Sequence, residues 1–129
     1  MLTYDEVRDY VLAQIGAVEE FPFGPGARVF KVMGKMFALM SVDQPQTTIS
    51  LKCDPFIAEV LRENYKAVVP AYHMNKQHWN TVLIDGTISD DEIRDMIDAS
   101  YDLVVSGLPR KDKDALAKLK ASSQPPAAS

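Results

Sequence analysis

The residue types best suited to chemistry are concentrated in one segment of ten residues, from Tyr72 to Thr81. It reads Tyr-His-Met-Asn-Lys-Gln-His-Trp-Asn-Thr and holds both histidines and the one tryptophan of the sequence. These side chains can donate and accept hydrogen bonds, titrate near neutral pH and stack on flat groups. Because a segment this polar is a poor core and a poor linker, the sequence predicts a recognition surface on a loop or strand.

The first hypothesis for this surface is DNA binding, in which lysines contact phosphate and aromatic side chains stack on bases or sugars. Residues 28–79 carry seven Lys/Arg against four Asp/Glu, although the whole chain has a net charge of -4. That total and the small number of arginines favour weak or shape-dependent binding. For Trp79, a place in the core is as probable as a role in stacking. For His78, a structural hydrogen bond to the backbone is as probable as a functional role. The predicted contacts are Lys31, Lys35, Lys52, Tyr72, His73, Asn75, Lys76, His78 and Trp79.

The second hypothesis is a small-molecule or active site, with His73 or His78 as general acid or base. Asn75, Lys76 and Asn80 would then orient the ligand. No nucleophile with a paired base is readable, since the neighbouring Asp54 disfavours a thiolate at Cys53. We therefore expect a non-enzymatic binding module with no catalytic residue and no cofactor. A protein-interaction module is the third hypothesis.

Local patterns predict the elements that must position this segment. Thr3 with Glu6, and Ser89 with Glu92, are capping boxes that begin helices, and Asp54-Pro55 begins another. Gly34-Lys35 separates two β-rich runs as a two-residue hairpin turn. The predicted elements are helix 3–15, a strand within 18–23, strands 28–33, 36–42 and 47–52, helix 55–64, a possible edge strand or turn at 68–70, strand 79–84, and helices 89–107 and 110–120.

Composition indicates one α/β domain of residues 1–120 with a disordered tail at 121–129, because the last residues are rich in Pro, Ala and Ser. With 47% hydrophobic residues, the chain can bury a core. Its single cysteine, Cys53, cannot form an internal disulfide, and the sequence shows neither a basic, apolar leader nor a membrane-length apolar run. We expect a cytoplasmic protein that does not associate with membranes.

Four sequence stretches together resemble the MmcQ/YjbR family, in the same order and spacing. They are Phe21-Pro22-Phe23-Gly24-Pro25; Val29-Phe30-Lys31-Val32 with Lys35-Met36-Phe37-Ala38; Lys52-Cys53-Asp54-Pro55; and Tyr72-His73-Met74-Asn75-Lys76 with His78-Trp79-Asn80. The resemblance extends to about Leu116. It implies a CyaY-like, or frataxin-like, fold: a twisted antiparallel sheet with helices packed on one face. It also implies a predicted DNA-binding "double wing" arrangement.

The shared fold with frataxin raises a third kind of ligand, iron, which frataxin handles through acidic residues near its first helix. Acids lie in the corresponding region here, namely Asp5, Glu6, Asp9, Glu19 and Glu20. Carboxylates alone bind transition metals weakly and unselectively, and a solvated helix face explains these residues better. His73 and His78 are five residues apart, a spacing that does not align two ligands on one helix face. We therefore expect no metal site.

Overall fold

The computed structural model describes residues 1–123, which form a six-stranded antiparallel sheet and four helices. The fold is thus α+β with an antiparallel sheet, as the sequence predicts. The elements in chain order are α1 Tyr4–Leu12, β1 Ala17–Glu20, β2 Ala27–Val32, β3 Lys35–Ser41, β4 Thr48–Lys52, α2 Pro55–Asn64, β5 Val68–Pro70, β6 Trp79–Leu83, α3 Asp90–Ser106 and α4 Arg110–Ser123.

Helix starts follow the capping signals in the sequence. The Glu6 N–H donates to Thr3 Oγ1 at 3.1 Å, and Glu6 Oε1 accepts from the Thr3 N–H at 3.0 Å, which completes the predicted box of α1. Asp54 caps α2, with Pro55 at the first helical position. At α3 only half of the predicted box forms. Ser89 Oγ accepts from the Glu92 N–H, but the Glu92 carboxylate accepts from the Tyr65 hydroxyl instead.

The β2–β3 hairpin is confirmed, with its turn one residue earlier than the sequence suggested. Met33 and Gly34 are the two loop residues, and both have positive φ, 48° and 81°. Two consecutive positive values are typical of a type I′ turn, whose twist matches that of the flanking strands. Lys35 therefore belongs to β3 and not to the turn.

The sheet order is β1-β2-β3-β4-β6-β5, so the last strand in sequence lies inside the sheet and β5 lies at its edge. The first four strands form the antiparallel meander that the sequence predicts. Of the two predicted states for this short segment, edge strand or turn, the structure shows the edge strand, Val68–Pro70. An edge also suits Pro70, because proline lacks the N–H that a second neighbouring strand would need.

The helices cover one face of the sheet. Phe30, Met40, Ile49 and Val82 belong to the same buried cluster as Val7 of α1 and Ile93 and Ile97 of α3. The other face carries a cross-strand row outside that cluster, and its members are Val29, Leu39, Ser50, Thr81 and Val69. Directly paired residues in a sheet share a face, so this row marks the face that the helices leave open.

Two predicted boundaries at the ends of the chain are wrong. Helix α1 ends at Leu12, before the predicted residue 15, and Gly16 follows with a φ of 78°. Helix α4 continues to Ser123, so residues 121–123 are helical, where a disordered tail was expected. The rest of that predicted tail, 124–129, lies outside the described residues. Among residues 1–123, no helix is both long and apolar enough to cross a bilayer.

Candidate nucleic-acid interface

The loop of residues 71–78, which carries most of the predicted site, is tied to the sheet and to α2. The Ala71 N–H donates to the Trp79 carbonyl, and the Cys53 N–H donates to the His78 carbonyl at 2.7 Å. The Arg62 guanidinium donates to the Lys76 carbonyl at 3.1 Å. These bonds fix both ends of the loop and its outer turn, so the loop backbone is held in a defined position.

The first part of the candidate site is a hollow where β3 begins and β4 ends. Lys35, Lys52 and Trp79 line it together with the last turn of α3, and its volume is about 410 Å³. The ammonium groups of these two lysines form no ion pair and no hydrogen bond among residues 1–123. The structure thus brings two predicted phosphate contacts together from strands that are distant in sequence.

A second hollow, of about 460 Å³, adjoins the first and shares Lys52 and Trp79 with it. Asn75 and His78 from the loop line its other side, and Asp54 lies at the start of α2. The side chain of Asn75 accepts from the Gln77 N–H and shapes the loop turn. Four of the predicted site residues therefore meet in this hollow.

The third part is a groove of about 280 Å³ on the open face of the sheet. Tyr72 and His73 form its wall, and its floor carries four hydroxyl side chains, Ser41, Thr48, Ser50 and Thr81. Ser50 and Thr81 are joined by a hydrogen bond of 2.8 Å between their hydroxyls. Thr48 and Ser50 share one face of β4, and the groove joins that face to the loop, which is distant in sequence.

The two aromatic residues of the predicted site have opposite environments. Tyr72 is 65% exposed, and the Lys76 ammonium lies 5.2 Å from the centre of its ring. This is the geometry of a cation–π pair. Trp79 is only 9% exposed and serves as a wall of the two hollows. Tyr72 is therefore the aromatic that can stack on a ligand.

Lys31 stands apart from the other predicted contacts. Its ammonium lies 3.5 Å from a carboxylate oxygen of Glu20, on the neighbouring strand β1. Because this partner neutralises it and because Lys31 lines none of the three cavities, Lys31 is the predicted lysine with the weakest structural link to the others.

The two histidines line different cavities: His73 lines the groove on the open face, and His78 lines the second hollow. They do not form one acid–base pair. Cys53 also lines the second hollow, where burial, and after it the charge of Asp54, raises the pKa of its thiol. A raised pKa keeps the sulfur protonated and unreactive at neutral pH.

Four of the five acids near α1, all except Asp5, are engaged with cations or caps. Glu19 pairs with both Arg8 and Arg28, and the hydrogen bond from Thr3 lowers the pKa of Glu6. Glu20 holds Lys31, as described above, and an Asp9 oxygen lies 4.0 Å from the Arg8 guanidinium. Within residues 1–123, no three His, Cys, Asp or Glu side chains are grouped in a way that could hold a metal ion.

A fourth cavity, a cleft on the helix-covered side, was not predicted from the sequence, and it shares Lys52 and Cys53 with the second hollow. It lies between α2 and α3, and its walls include Ile57, Leu61 and Met96. Asn80, which the sequence suggested as a ligand-orienting residue, also lines it, away from both histidines. Ile57 and Leu61 are four residues apart on one face of α2, and only the packing of α2 beside α3 reveals the cleft.

Comparisons with known proteins agree with this architecture. The chain is 35% identical to the uncharacterised protein YjbR of Escherichia coli K12 over 118 residues, which are 92% of this chain and all of that protein. It is 42% identical over 93 residues to the uncharacterised YbdF of Escherichia coli O157:H7, covering 72% and 76% of the two chains.

Solved structures show the same fold. A crystal structure of a Deinococcus radiodurans protein superposes with a TM-score of 0.83 at 35% identity, covering 91% of this chain and 89% of that one. A Pseudomonas syringae protein gives a TM-score of 0.69 at 29% identity, covering 79% of this chain and 98% of that one. The family model named YjbR matches residues 12–103. The chain therefore belongs to the YjbR family.

Proposed function

We propose that this protein is a non-enzymatic, cytoplasmic module that binds DNA. The contact surface would consist of Lys35, Lys52, Tyr72, Asn75 and Lys76, which we call the basic loop surface. The observation that supports it best is that its three lysines have no acidic partner among residues 1–123, while Lys52 shares a hollow with the tied loop that carries Lys76 and the exposed Tyr72. The single cysteine of the chain suits a reducing compartment.

The parts of this surface have complementary roles in the proposal. Lysines supply charge for phosphate without reading sequence, and Tyr72 offers a ring on which a base can stack. The groove beside Tyr72 then presents hydroxyls that can donate to or accept from the edge of an unstacked base. Exposed bases are available in single strands, so we expect single-stranded DNA to bind more tightly than duplex.

Two of the lysines also have a structural role that the test must separate from binding. Lys35 and Lys52 lie beside the last turn of α3, which has no basic residue of its own. Positive charge there stabilises the negative end of the helix dipole, typically by about 0.3–1 kcal/mol per charge. Each variant therefore needs a melting temperature as well as an affinity.

The test is the fluorescence anisotropy of labelled single-stranded and duplex DNA, titrated with protein at about 50 and 200 mM salt. For the wild type we expect the anisotropy to increase as protein is added. The affinity for DNA that this increase reports should fall steeply as salt rises. Lys35→Gln, Lys52→Gln and Lys76→Gln should each weaken binding and lower the salt dependence by about one counterion. Tyr72→Leu should weaken single-strand binding and leave the salt dependence unchanged.

Lys66→Gln is the matched control, because Lys66 is an exposed lysine that lines none of the three cavities. It should bind like the wild type. If no anisotropy change occurs at low salt, where phosphate contacts are strongest, the DNA proposal is wrong. It is also wrong if Lys66→Gln reduces affinity as much as the three variants do.

A further inference from the structure

The cleft between α2 and α3 opens on the helix-covered side of the sheet and shares Lys52, but no other member, with the basic loop surface. Its volume is about 370 Å³, and its walls are largely apolar, with Ile57, Leu61, Val82 and Met96 among them. Helix α2 covers the sheet loosely, since Ala58 is its one buried residue. A concave, mostly apolar space of this size is the usual form of a small-molecule site.

One buried polar atom of Asn80, a residue that lines the cleft, has no hydrogen-bond partner among residues 1–123. Asn80 is 2% exposed, and its Nδ2 donates to the Ala58 carbonyl at 3.2 Å. Its Oδ1 is buried and accepts no hydrogen bond from any group in residues 1–123. An unpaired buried acceptor destabilises the folded state, so the fold gains nothing from this carbonyl oxygen as it stands. A donor on a bound molecule would satisfy it.

The cleft carries a net negative charge, because two acids of α3, Glu92 and Asp95, line it against one cation, Lys52. Glu92 accepts from the Tyr65 hydroxyl at 2.7 Å. Asp95 is exposed and has neither an ion pair nor a hydrogen bond to another side chain among residues 1–123. A net negative charge in a largely apolar cleft favours cations over carboxylates and phosphates.

We propose that this cleft binds a compact apolar amine whose ring or branched chain carries a neutral N–H or O–H group. The apolar part lies between Ile57 and Met96, the neutral donor bonds to Asn80 Oδ1, and the ammonium lies at the mouth near Asp95. This site needs no nucleic acid and stands whether or not the protein binds DNA.

Four indole probes separate these features, and binding can be followed by the NMR signals of the Ile57, Leu61 and Met96 methyl groups. Tryptamine has both the ring N–H and an ammonium, indole has the N–H alone, 1-methylindole lacks the N–H, and indole-3-acetate carries a negative charge. We expect tryptamine to bind most tightly and indole-3-acetate most weakly. Indole should bind about threefold to tenfold more tightly than 1-methylindole, the range for one neutral hydrogen bond.

Variants assign each difference to a residue. Asn80→Leu removes the acceptor at similar volume, so indole and 1-methylindole should bind it equally. Asp95→Asn should reduce the advantage of tryptamine over indole, whereas Asp102→Asn, an exposed acid further along α3 that does not line the cleft, should preserve it. Ala99→Leu projects extra volume into the cleft and should weaken all four probes.

The proposal fails if none of the probes shifts the cleft methyl signals at millimolar concentration. It also fails if 1-methylindole binds the wild type as well as indole does, because Asn80 Oδ1 would then receive no donor. Amide spectra of each variant show whether it folds. If Asn80→Leu does not fold, the comparison of indole with 1-methylindole on the wild type still decides the role of Asn80.

Discussion

At the scale of single residues, the Ser100 hydroxyl of α3 provides hydrogen-bond partners for two backbone groups of the sheet. Its hydroxyl donates to the Phe37 carbonyl at 2.6 Å and accepts from the Lys52 N–H at 2.9 Å. The side chain thus bridges β3 and β4 beyond Ala38 and Leu51, their last direct pair. Because Ser100 is 0% exposed, no solvent competes for these two backbone groups.

Ser100→Ala should destabilise the protein by about 1–3 kcal/mol, because it leaves a buried N–H and a buried C=O without partners. Urea unfolding followed by circular dichroism measures this loss. Ser106→Ala is the matched control on the same helix, since its hydroxyl is exposed and bonds only to the Leu103 carbonyl. The control should change the free energy of unfolding by at most about 0.5 kcal/mol. Equal losses in both variants would contradict the bridging role.

This role of Ser100 could not be predicted from the sequence. A serine inside a helix bonds by default to its own helix or to solvent, and nothing local indicates a contact with two strands. The same holds for Asn80. The position of α2 determines that its Nδ2 has a partner, the Ala58 carbonyl, and that its Oδ1 has none among residues 1–123. By contrast, Cys53 beside Asp54 was predicted to be a poor thiolate from two adjacent residues, and the raised pKa agrees.

At the scale of elements, the Met33-Gly34 turn requires positive φ at both of its residues. Gly34→Ala should destabilise the protein by about 1–2 kcal/mol, because alanine is strained at a φ of 81° although its Cβ would meet no atom within 4 Å. Thermal unfolding at constant pH measures the effect.

Gly26→Ala is the control for that change. Its Cβ would also meet no atom within 4 Å, and Gly26 does not have positive φ. It should be neutral or slightly stabilising, because alanine restricts the unfolded chain more than glycine does. If both substitutions lower the melting temperature equally, backbone strain at Gly34 is not the cause.

Most elements were predictable because their signals are local. The Thr3 and Asp54 caps and the hairpin glycine each act within a few residues, so the start of α1, the whole of α2 and the β2–β3 pairing follow from sequence. The placement of β6 between β4 and β5 does not, because strand pairing across the α2 segment depends on packing between distant residues. The three cavities at the candidate interface depend on that placement and were not predictable for the same reason.

At the scale of the whole molecule, polar contacts join α1 to α3. The Tyr10 hydroxyl donates to the Asp98 carboxylate at 2.8 Å, and the Gln14 amide donates to the same carboxylate at 3.0 Å. Burial, and after it the bond to Asp98, raises the pKa of Tyr10 from 10.0 to about 12. These contacts join parts of the chain that are more than 80 residues apart.

The stability of the protein should therefore fall as pH rises between about 10 and 12. Over this range the Tyr10 phenol ionises in the unfolded chain but keeps its proton in the folded one, so alkali favours unfolding. Tyr10→Phe should make the decline shallower, as measured by urea unfolding at a series of pH values. Tyr72→Phe, on the exposed loop, should keep the wild-type slope. An unchanged slope in Tyr10→Phe would contradict the linkage.

The order of the strands also determines how the sheet meets other chains. Its two outer strands are β1, of four residues, and β5, of three residues ending at Pro70. Strand addition and fibril growth need a long row of unpaired backbone donors and acceptors at an edge. These edges offer a short row on each side, and proline removes one donor from the β5 row. The sheet is thus a poor template for aggregation even though one of its faces is uncovered by helices.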